Sequence, residues 1–182
     1  MHEVDKPYLK CKNINKYFER LSEVLIDKGS GSYRFLVVGG AVMALKYRFG
    51  RASVDIDICL REQTDLYKYC IMVADECKLP YDWINADVMH SDSFSMNLFK
   101  NAELYKVYNN ILSVYTVSDL DLFCMKLVSI RPKDMNDLNQ IATRLKRKGI
   151  SRKMIINEFI FLYGSLFLLK DRQKSFLYKN FK

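Results

Sequence analysis

Apolar residues follow three different spacings in the first sixty positions of the chain. Between residues 13 and 28 they recur every three or four positions, which predicts an amphipathic helix. Residues 34–38 are predicted to form a strand, because an apolar run begins at Phe35, and a Gly-Gly pair and a second helix to about Tyr47 follow it. From Ser53 to Leu60 apolar and polar residues alternate, which predicts a half-buried strand.

The remaining sequence predicts another helix beside the sheet, two further strand regions and a helical C-terminal part. A hairpin is expected around Asn109-Asn110, because two alternating segments meet at residues that accept positive φ. Ser118 and Ser151 are expected to cap helices, and Pro132 separates two of them. The predicted elements are a helix at 63–78, a strand at 83–88, a hairpin at 105–117 and helices that begin near 118, 134 and 151.

These elements predict an α+β fold in a single domain of residues 1–182. The sheet-forming core ends at about residue 117, and the helical C-terminal part covers about residues 118–182. The apolar run Met154–Leu169 has about 16 residues, whereas a membrane-spanning helix needs roughly 20. We therefore expect a buried helix here, broken near Gly164, and no contact with a membrane.

Positive charge is concentrated near the C-terminus. Residues 126–182 contain 14 of the 29 Lys and Arg residues but only four of the 21 Asp and Glu residues. Such a surface attracts polyanions such as RNA, although lysine-rich helices that only keep a protein in solution are the simpler alternative. The five cysteines form no CxxC pair and no signal peptide is evident, so we expect a reduced, cytoplasmic protein.

The alternating segment carries two carboxylates that point in one direction. Asp55 and Asp57 are two residues apart, so both side chains leave the same face of the predicted strand. Like charges held so close need a neutralising cation, and a divalent metal ion such as Mg²⁺ is the usual partner. Gly39-Gly40 precede them between a strand and a helix, where the lack of a Cβ lets backbone amides approach a phosphate. Arg51 is near enough in sequence to add positive charge.

Several segments, taken in order, resemble the DNA polymerase β-like nucleotidyltransferase superfamily. GGA…RASVDID is similar to its Gly-Gly pair followed by D-x-D. VYTVSDLDLFCMKLVSIRPKDMNDLNQI resembles the AbiEii and MenT toxin-like branch, in which a helical lysine precedes D-x-x-D. PYDWIN is similar to a segment of related bacterial proteins. The resemblance covers roughly residues 35–145 and implies a small mixed β-sheet core of the nucleotidyltransferase type, flanked by helices.

The resemblance implies roles for the residues of the first half of the site. Gly39 and Gly40 would contact the phosphates of a nucleotide. Asp55 and Asp57 would bind Mg²⁺. A third metal-binding carboxylate lies on a later strand in the superfamily, and Asp87 is the candidate for it here. A D-x-D pair that arises by chance on a surface strand is the simpler alternative for the aspartates.

The second half of the site follows from the later segment of the resemblance. Lys126 would neutralise phosphate charge near the transferred group. Asp134 and Asp137 lie three residues apart on one helix face, and they would complete the site or orient Lys126 and Arg131. Arg51 and Arg131 would bind the nucleotide. The simpler alternatives are a lysine that reaches solvent past apolar neighbours and carboxylates that favour the first turn of a helix.

The resemblance implies an enzyme that transfers a nucleoside monophosphate from an NTP to a hydroxyl and releases pyrophosphate, with Mg²⁺ as its cofactor. The basic helices favour RNA as the acceptor, with tRNA as one candidate, and a hydroxyl of a partner protein is a variant. A toxin of a toxin–antitoxin pair, with an antitoxin protein as its partner, fits the resemblance. The alternative is a non-catalytic nucleic-acid- or partner-binding module that retains the fold.

Overall fold

The computed structural model describes Leu9 and residues 11–47, 55–62 and 65–182. Arg51 lies outside the described residues. The chain divides into two compact units, and the first comprises the described part of Met1–Val88 together with Glu103–Thr116. The second comprises Met89–Ala102 and Val117–Lys182. The change of unit after Thr116 lies next to the boundary predicted near residue 117, but Met89–Ala102 belongs to the helical unit.

Within the described residues of the first unit, five strands form one mixed sheet. They are β1 (Tyr33–Val37), β2 (Ile56–Cys59), β3 (Ile84–Asn85), β4 (Glu103–Tyr108) and β5 (Leu112–Thr116). Their order across the sheet is β3-β2-β1-β5-β4. β1 pairs antiparallel with β2 and parallel with β5, β2 pairs parallel with β3, and β4 pairs antiparallel with β5. The predicted α+β fold is confirmed.

Three helical segments accompany this sheet: α1 (Cys11–Asp27), α2 (Gly39–Val42), which continues as a π-helix at Met43–Tyr47, and α3 (Leu66–Cys77). The ring of Phe18 on α1 lies 5.4 Å from that of Phe35 on β1 and 5.8 Å from that of Tyr108 on β4. α1 therefore covers the sheet face to which Phe35 belongs. The β1–β2 register pairs Val37 with Ile58, so by alternation Asp57 points to the opposite face.

Two predictions of local structure in the first unit have different outcomes. The hairpin is confirmed, because β4 and β5 meet at Asn109 and Asn110, whose φ angles are 46° and 57°. The strand predicted at 83–88 is present only as β3 (Ile84–Asn85), and its predicted extension through Asp87 is wrong, because a 3-10 turn begins there. The Asn85 side-chain oxygen accepts a hydrogen bond from the Asp87 backbone amide at 3.1 Å, which replaces strand pairing with a local turn.

The second unit is helical. Its longer helices are α4 (Asp119–Ser129), α5 (Met135–Arg147), α6 (Arg152–Tyr163) and α7 (Asp171–Asn180), and 3-10 turns lie at Met96–Phe99 and Pro132–Asp134. Ser118 and Ser151 cap α4 and α6 as predicted. α6 ends at Gly164, which has a φ of 73° and explains the predicted break. Across the described residues, no helix has the length and apolar character needed to cross a membrane.

An ion-pair group joins the beginning of α4 to the end of α5. Asp119 is 4% exposed, and its Oδ2 lies 2.9 Å from Arg144 Nε and 2.6 Å from Lys148 Nζ. Asp119 lies in the first turn of α4, where the positive end of the helix dipole favours a carboxylate. The structure adds two cations that neutralise its buried charge, so Asp119 holds two helices together.

The segment Met89–Ala102 is held against α6 by polar side chains. Asn97 Nδ2 donates to the carbonyl of Phe161 at 2.6 Å, and Asn101 Nδ2 donates to Glu158 Oε1 at 3.0 Å. Glu158 also shares a hydrogen bond with Asp121, a fully buried residue at the start of α4. Burial, that hydrogen bond and the charge of Asp121 raise the pKa of Glu158 to about 7, although the bond from Asn101 opposes the rise.

We expect the ionisation of Glu158 to lower the free energy of unfolding as the pH rises from about 4.5 to about 7. The folded chain binds the proton of the Glu158 carboxyl group more tightly than the unfolded chain does. The stabilisation is therefore complete below the pKa that Glu158 has in the unfolded chain, and it is lost as the pH rises through the pKa that Glu158 has in the folded chain. Urea unfolding of the parent protein and of Glu158→Gln at about pH 5 and about pH 8 measures the effect. Glu158→Gln should lose less stability between these two pH values, and parallel pH profiles would contradict the assignment.

Candidate active site

The Gly-Gly turn and the D-x-D segment lie side by side at the end of β1. The backbone amide of Val38 donates to the carbonyl of Asp57 at 3.0 Å, which holds the turn beside β2. Gly39 has a φ of +64°, and a Cβ on it would lie 2.8 Å from Asp57 Oδ2. Glycine is therefore required at position 39 both by the backbone conformation and by the space that Asp57 occupies.

Gly39 and Gly40 open α2, and Asp55 directly precedes β2. The first backbone amides of a helix have no acceptor within the helix, so they are available to an anion. Val38, at the N-cap position, provides no side-chain hydrogen bond to these amides. Asp55 and Asp57 are both half-buried. The end of β1 thus combines phosphate-binding geometry with two carboxylates on the next strand segment.

Cys59 shows how the carboxylate of Asp57 affects its surroundings. Burial and the nearby charge of Asp57 raise the pKa of the Cys59 thiol to about 12. The thiol therefore stays protonated at neutral pH and does not act as a thiolate nucleophile. Cys59, Cys70 and Cys124 are buried free thiols, and Cys77 is a partly buried one.

The neighbour of Asp57 on β3 is an amide rather than a carboxylate. The parallel β2–β3 register pairs Asp57 with Asn85, so these side chains lie on adjacent strands and the same face. The sequence analysis missed Asn85, although PYDWIN contains it, because only the register shows which residue of that segment lies beside Asp57. Asp87 lies two residues further along the chain on an exposed 3-10 turn.

The carboxylates fit a metal ion that also binds substrate phosphates. Among the residues that the structure describes, no three His, Cys, Asp or Glu side chains form a group able to hold a metal ion. Asp87 is therefore not grouped with Asp55 and Asp57. Mg²⁺ is commonly bound by one or two carboxylates together with phosphate oxygens and water. Asp55 and Asp57 are the residues that would supply the protein part of such a donor set.

The second cluster of predicted site residues lies in the second unit. Lys126 Nζ on α4 lies 3.2 Å from Asp134 Oδ1 and 2.7 Å from Asp137 Oδ2. Arg131 Nε lies 2.6 Å from Asp134 Oδ2. The turn at Pro132–Asp134 between α4 and α5 brings the four side chains together. Two of these side chains are positively charged and two are negatively charged, so the cluster has no net charge.

Burial differs sharply among these side chains. Lys126 is 6% exposed and both aspartates are 2% exposed, whereas Arg131 is 55% exposed. Burial alone would raise the pKa of Asp134, but the hydrogen bond from Arg131 and the charge of Lys126 hold that pKa below its ordinary value. Arg131 is thus the cation of the cluster that faces solvent, and Lys126 is held internally by carboxylates.

The nine described candidates occupy two groups and one separate position. Gly39, Gly40, Asp55 and Asp57 belong to the first unit, and Lys126, Arg131, Asp134 and Asp137 belong to the second. Asp87 stands apart on its turn, and Arg51 lies outside the described residues. The geometry of each group is that of a polar site: one can bind phosphate and a metal ion, and the other holds a cation beside an exposed arginine.

The sheet places the Gly-Gly turn beside the D-x-D segment, the order of motifs on which the nucleotidyltransferase resemblance is based. Residues 12–148 match the family described as "nucleotidyltransferase of unknown function (DUF6036)", and the chain belongs to this family. The match includes all the predicted site residues. Nucleotidyl transfer is therefore its general activity, with a nucleoside triphosphate as substrate. No curated protein and no solved structure matches the chain. The narrower AbiEii/MenT resemblance stays a prediction.

The contact between Gly39 and Asp57 predicts a specific coupling between substitutions. Gly39→Ala should lower the free energy of unfolding by about 1–3 kcal/mol more than Gly29→Ala, because of steric overpacking. Gly29 is the matched control, since its φ is +60° and nothing lies within 4 Å of a Cβ built on it. Adding Asp57→Ala to Gly39→Ala should recover part of the loss in urea unfolding. Strictly additive effects would contradict the contact.

The buried cluster predicts that Lys126 matters more for stability than Arg131 does. Lys126→Met keeps most of the side-chain volume but removes the cation that the two buried carboxylates share, so it should cost about 3–5 kcal/mol of unfolding free energy. Arg131→Ala removes a mostly exposed partner and leaves Lys126 beside Asp134, so it should cost less than Lys126→Met. Urea unfolding at neutral pH compares the two variants. Similar losses in both would mean that Lys126 is not the central cation.

Proposed function

We propose that this protein transfers a nucleoside monophosphate from an NTP to a hydroxyl group of RNA, in a reaction that requires Mg²⁺. The observation that carries the proposal is the Asp57 carboxylate lying against the Gly39 turn. Together with Asp55, it places two carboxylates beside a helix start whose backbone amides can bind phosphate. A metal ion and a triphosphate between them would satisfy both groups at once.

In this proposal each group in the first unit has one task. The hydroxyl oxygen of the acceptor forms a bond to the α-phosphorus, the bond to the β-phosphate oxygen breaks, and pyrophosphate leaves. Gly39 and Gly40 bind phosphate oxygens through backbone amides. Asp55 and Asp57 would hold Mg²⁺, which when bound would supply positive charge to the phosphates and acidify the attacking hydroxyl, whose proton passes to water.

The second unit supplies oriented cations. The contacts of Asp134 with Lys126 and Arg131 support the role in which the aspartates orient the two cations rather than bind a metal ion. Arg131 is exposed enough to contact a phosphate, whereas Lys126 keeps Asp134 and Asp137 in place through its ammonium group. Arg131 is thus a cation whose orientation is fixed before any phosphate contacts it, which lowers the reorganisation cost of that contact.

RNA is the proposed acceptor because the helical unit carries the excess of positive charge. Residues 126–182 contain 14 Lys and Arg residues against four Asp and Glu residues. Phosphate contacts from such a surface give affinity that does not depend on sequence. The toxin role, an antitoxin partner and a protein acceptor stay predictions from the resemblance.

Transfer from labelled nucleotides tests the proposal. The full chain is incubated with Mg²⁺, total RNA and each of the four NTPs labelled at the α-phosphate, and label in RNA is measured. Asp55→Asn and Asp57→Asn should each reduce transfer at least about a hundredfold. Asp27→Asn is the matched control, because Asp27 is an exposed carboxylate at the end of α1, and it should leave transfer unchanged.

Three outcomes would contradict parts of the proposal. No labelled product with any NTP would favour the non-catalytic binding module. Label that survives nuclease but not protease treatment would identify a protein acceptor instead of RNA. Undiminished transfer by Asp55→Asn and Asp57→Asn would place the reaction elsewhere in the chain.

A further inference from the structure

Three helix ends meet at one end of the second unit. The backbone amide of Arg152, at the start of α6, donates to the carbonyl of Lys182 at 3.1 Å. Lys146 Nζ, near the end of α5, donates to Asn180 Oδ1 at the end of α7 at 3.3 Å. The end of α5, the beginning of α6 and the residues after α7 therefore form one continuous surface.

An exposed aromatic ring lies at the centre of this surface. Tyr178 is 56% exposed, and the guanidinium carbon of Arg152 lies 4.6 Å from its ring centroid. A tyrosine kept in water next to an arginine gains little for folding, because most of its ring surface is not buried. The same pair offers a flat, polarisable surface beside a fixed positive charge.

The surroundings of Tyr178 are uniformly basic. Residues 138–157 and 172–182 contain no Asp or Glu at all. The nearby Asp119 is buried and already paired with Arg144 and Lys148. Arg147, Lys153 and Lys179 are exposed, and all three lie within residues 138–157 and 172–182.

We propose that this surface binds RNA by stacking an unpaired base on Tyr178 and by pairing the flanking phosphates with the surrounding cations. The Tyr178 surface consists of Lys146, Arg147, Arg152, Lys153, Tyr178 and Lys179. The proposal rests on the proposed function in taking RNA as the acceptor, and it assigns the contact to unpaired nucleotides. Bases within a duplex have their faces covered, whereas an unpaired base can stack on an aromatic ring.

The exposed ring of Tyr178 favours RNA over other anionic partners. An acidic protein or an anionic membrane would be attracted by the cations, but neither needs an exposed ring beside an arginine. Every nucleobase has a π-face, so stacking on Tyr178 combined with phosphate contacts uses both features of the surface. The expected signature is therefore a loss of single-strand affinity when the ring is removed.

Binding of fluorescently labelled RNA, followed by anisotropy, tests the proposal. The probes are a mixed-sequence single strand of about 12 nucleotides and the same strand in a duplex. Tyr178→Ala should weaken single-strand binding about tenfold and duplex binding far less, whereas Tyr178→Phe should preserve both. Lys153→Glu should lower the affinity for both probes and reduce the salt dependence of binding.

Phe167 provides the matched aromatic control. It is 83% exposed and follows α6 at the end opposite to Arg152, roughly 18 Å away along a helix of this length. Phe167→Ala should leave the affinity for both probes unchanged. An equal loss in Phe167→Ala and Tyr178→Ala would overturn the assignment to the Tyr178 surface.

Other outcomes also decide the question. Unchanged single-strand affinity in Tyr178→Ala, an equal loss for both probes, or equally tight binding of anionic phospholipid vesicles would each overturn base stacking. The binding assay needs no catalysis, so the two proposals fail separately. Binding through Tyr178 without any nucleotide transfer would contradict only the proposed function. Transfer to RNA that is identical in Tyr178→Ala and the parent protein would contradict only this inference.

Discussion

The contact between the Gly39 backbone and the Asp57 carboxylate is the constraint around which the first unit is arranged. It requires β1 and β2 to be paired antiparallel, so that the turn after one strand meets the strand that carries D-x-D. It also requires a residue without a Cβ and with a positive φ at position 39. A carboxylate beside a helix start is stabilised by the positive end of the helix, and in the proposed function it also holds a metal ion next to the bound phosphate.

The second unit uses charge in two different ways. Inside it, Lys126 is neutralised by Asp134 and Asp137, and Asp119 is neutralised by Arg144 and Lys148. These buried pairs fix the positions of α4 and α5, because removal of either partner would leave an uncompensated charge. On its surface, positive side chains have no comparable set of carboxylates. The excess charge of the C-terminal residues is thus carried by the surface rather than by the interior.

Local sequence patterns predicted most of the elements correctly, and the failures have identifiable causes. Helical spacing, serine caps and the Asn109-Asn110 turn depend on neighbouring residues, so they are visible without the tertiary structure. The strand proposed around Asp87 was wrong because the side chain of Asn85 takes the backbone hydrogen bond that a strand would have used. Lys126 with Asp134 and Asp137 came from a resemblance, and their mutual contacts came only from the folded turn between α4 and α5.

The sequence by itself determined which chemistry is present: a Gly-Gly pair, two carboxylates on alternating positions, and a basic C-terminal part. Those features follow from residue types and short spacings. The tertiary structure decided which residues touch. It placed Asn85 beside Asp57 through strand register and buried Lys126 between two carboxylates. It also brought Arg152 onto the ring of Tyr178 from a different helix. Such contacts join residues distant in sequence, and their energies depend on burial and register that no local pattern contains.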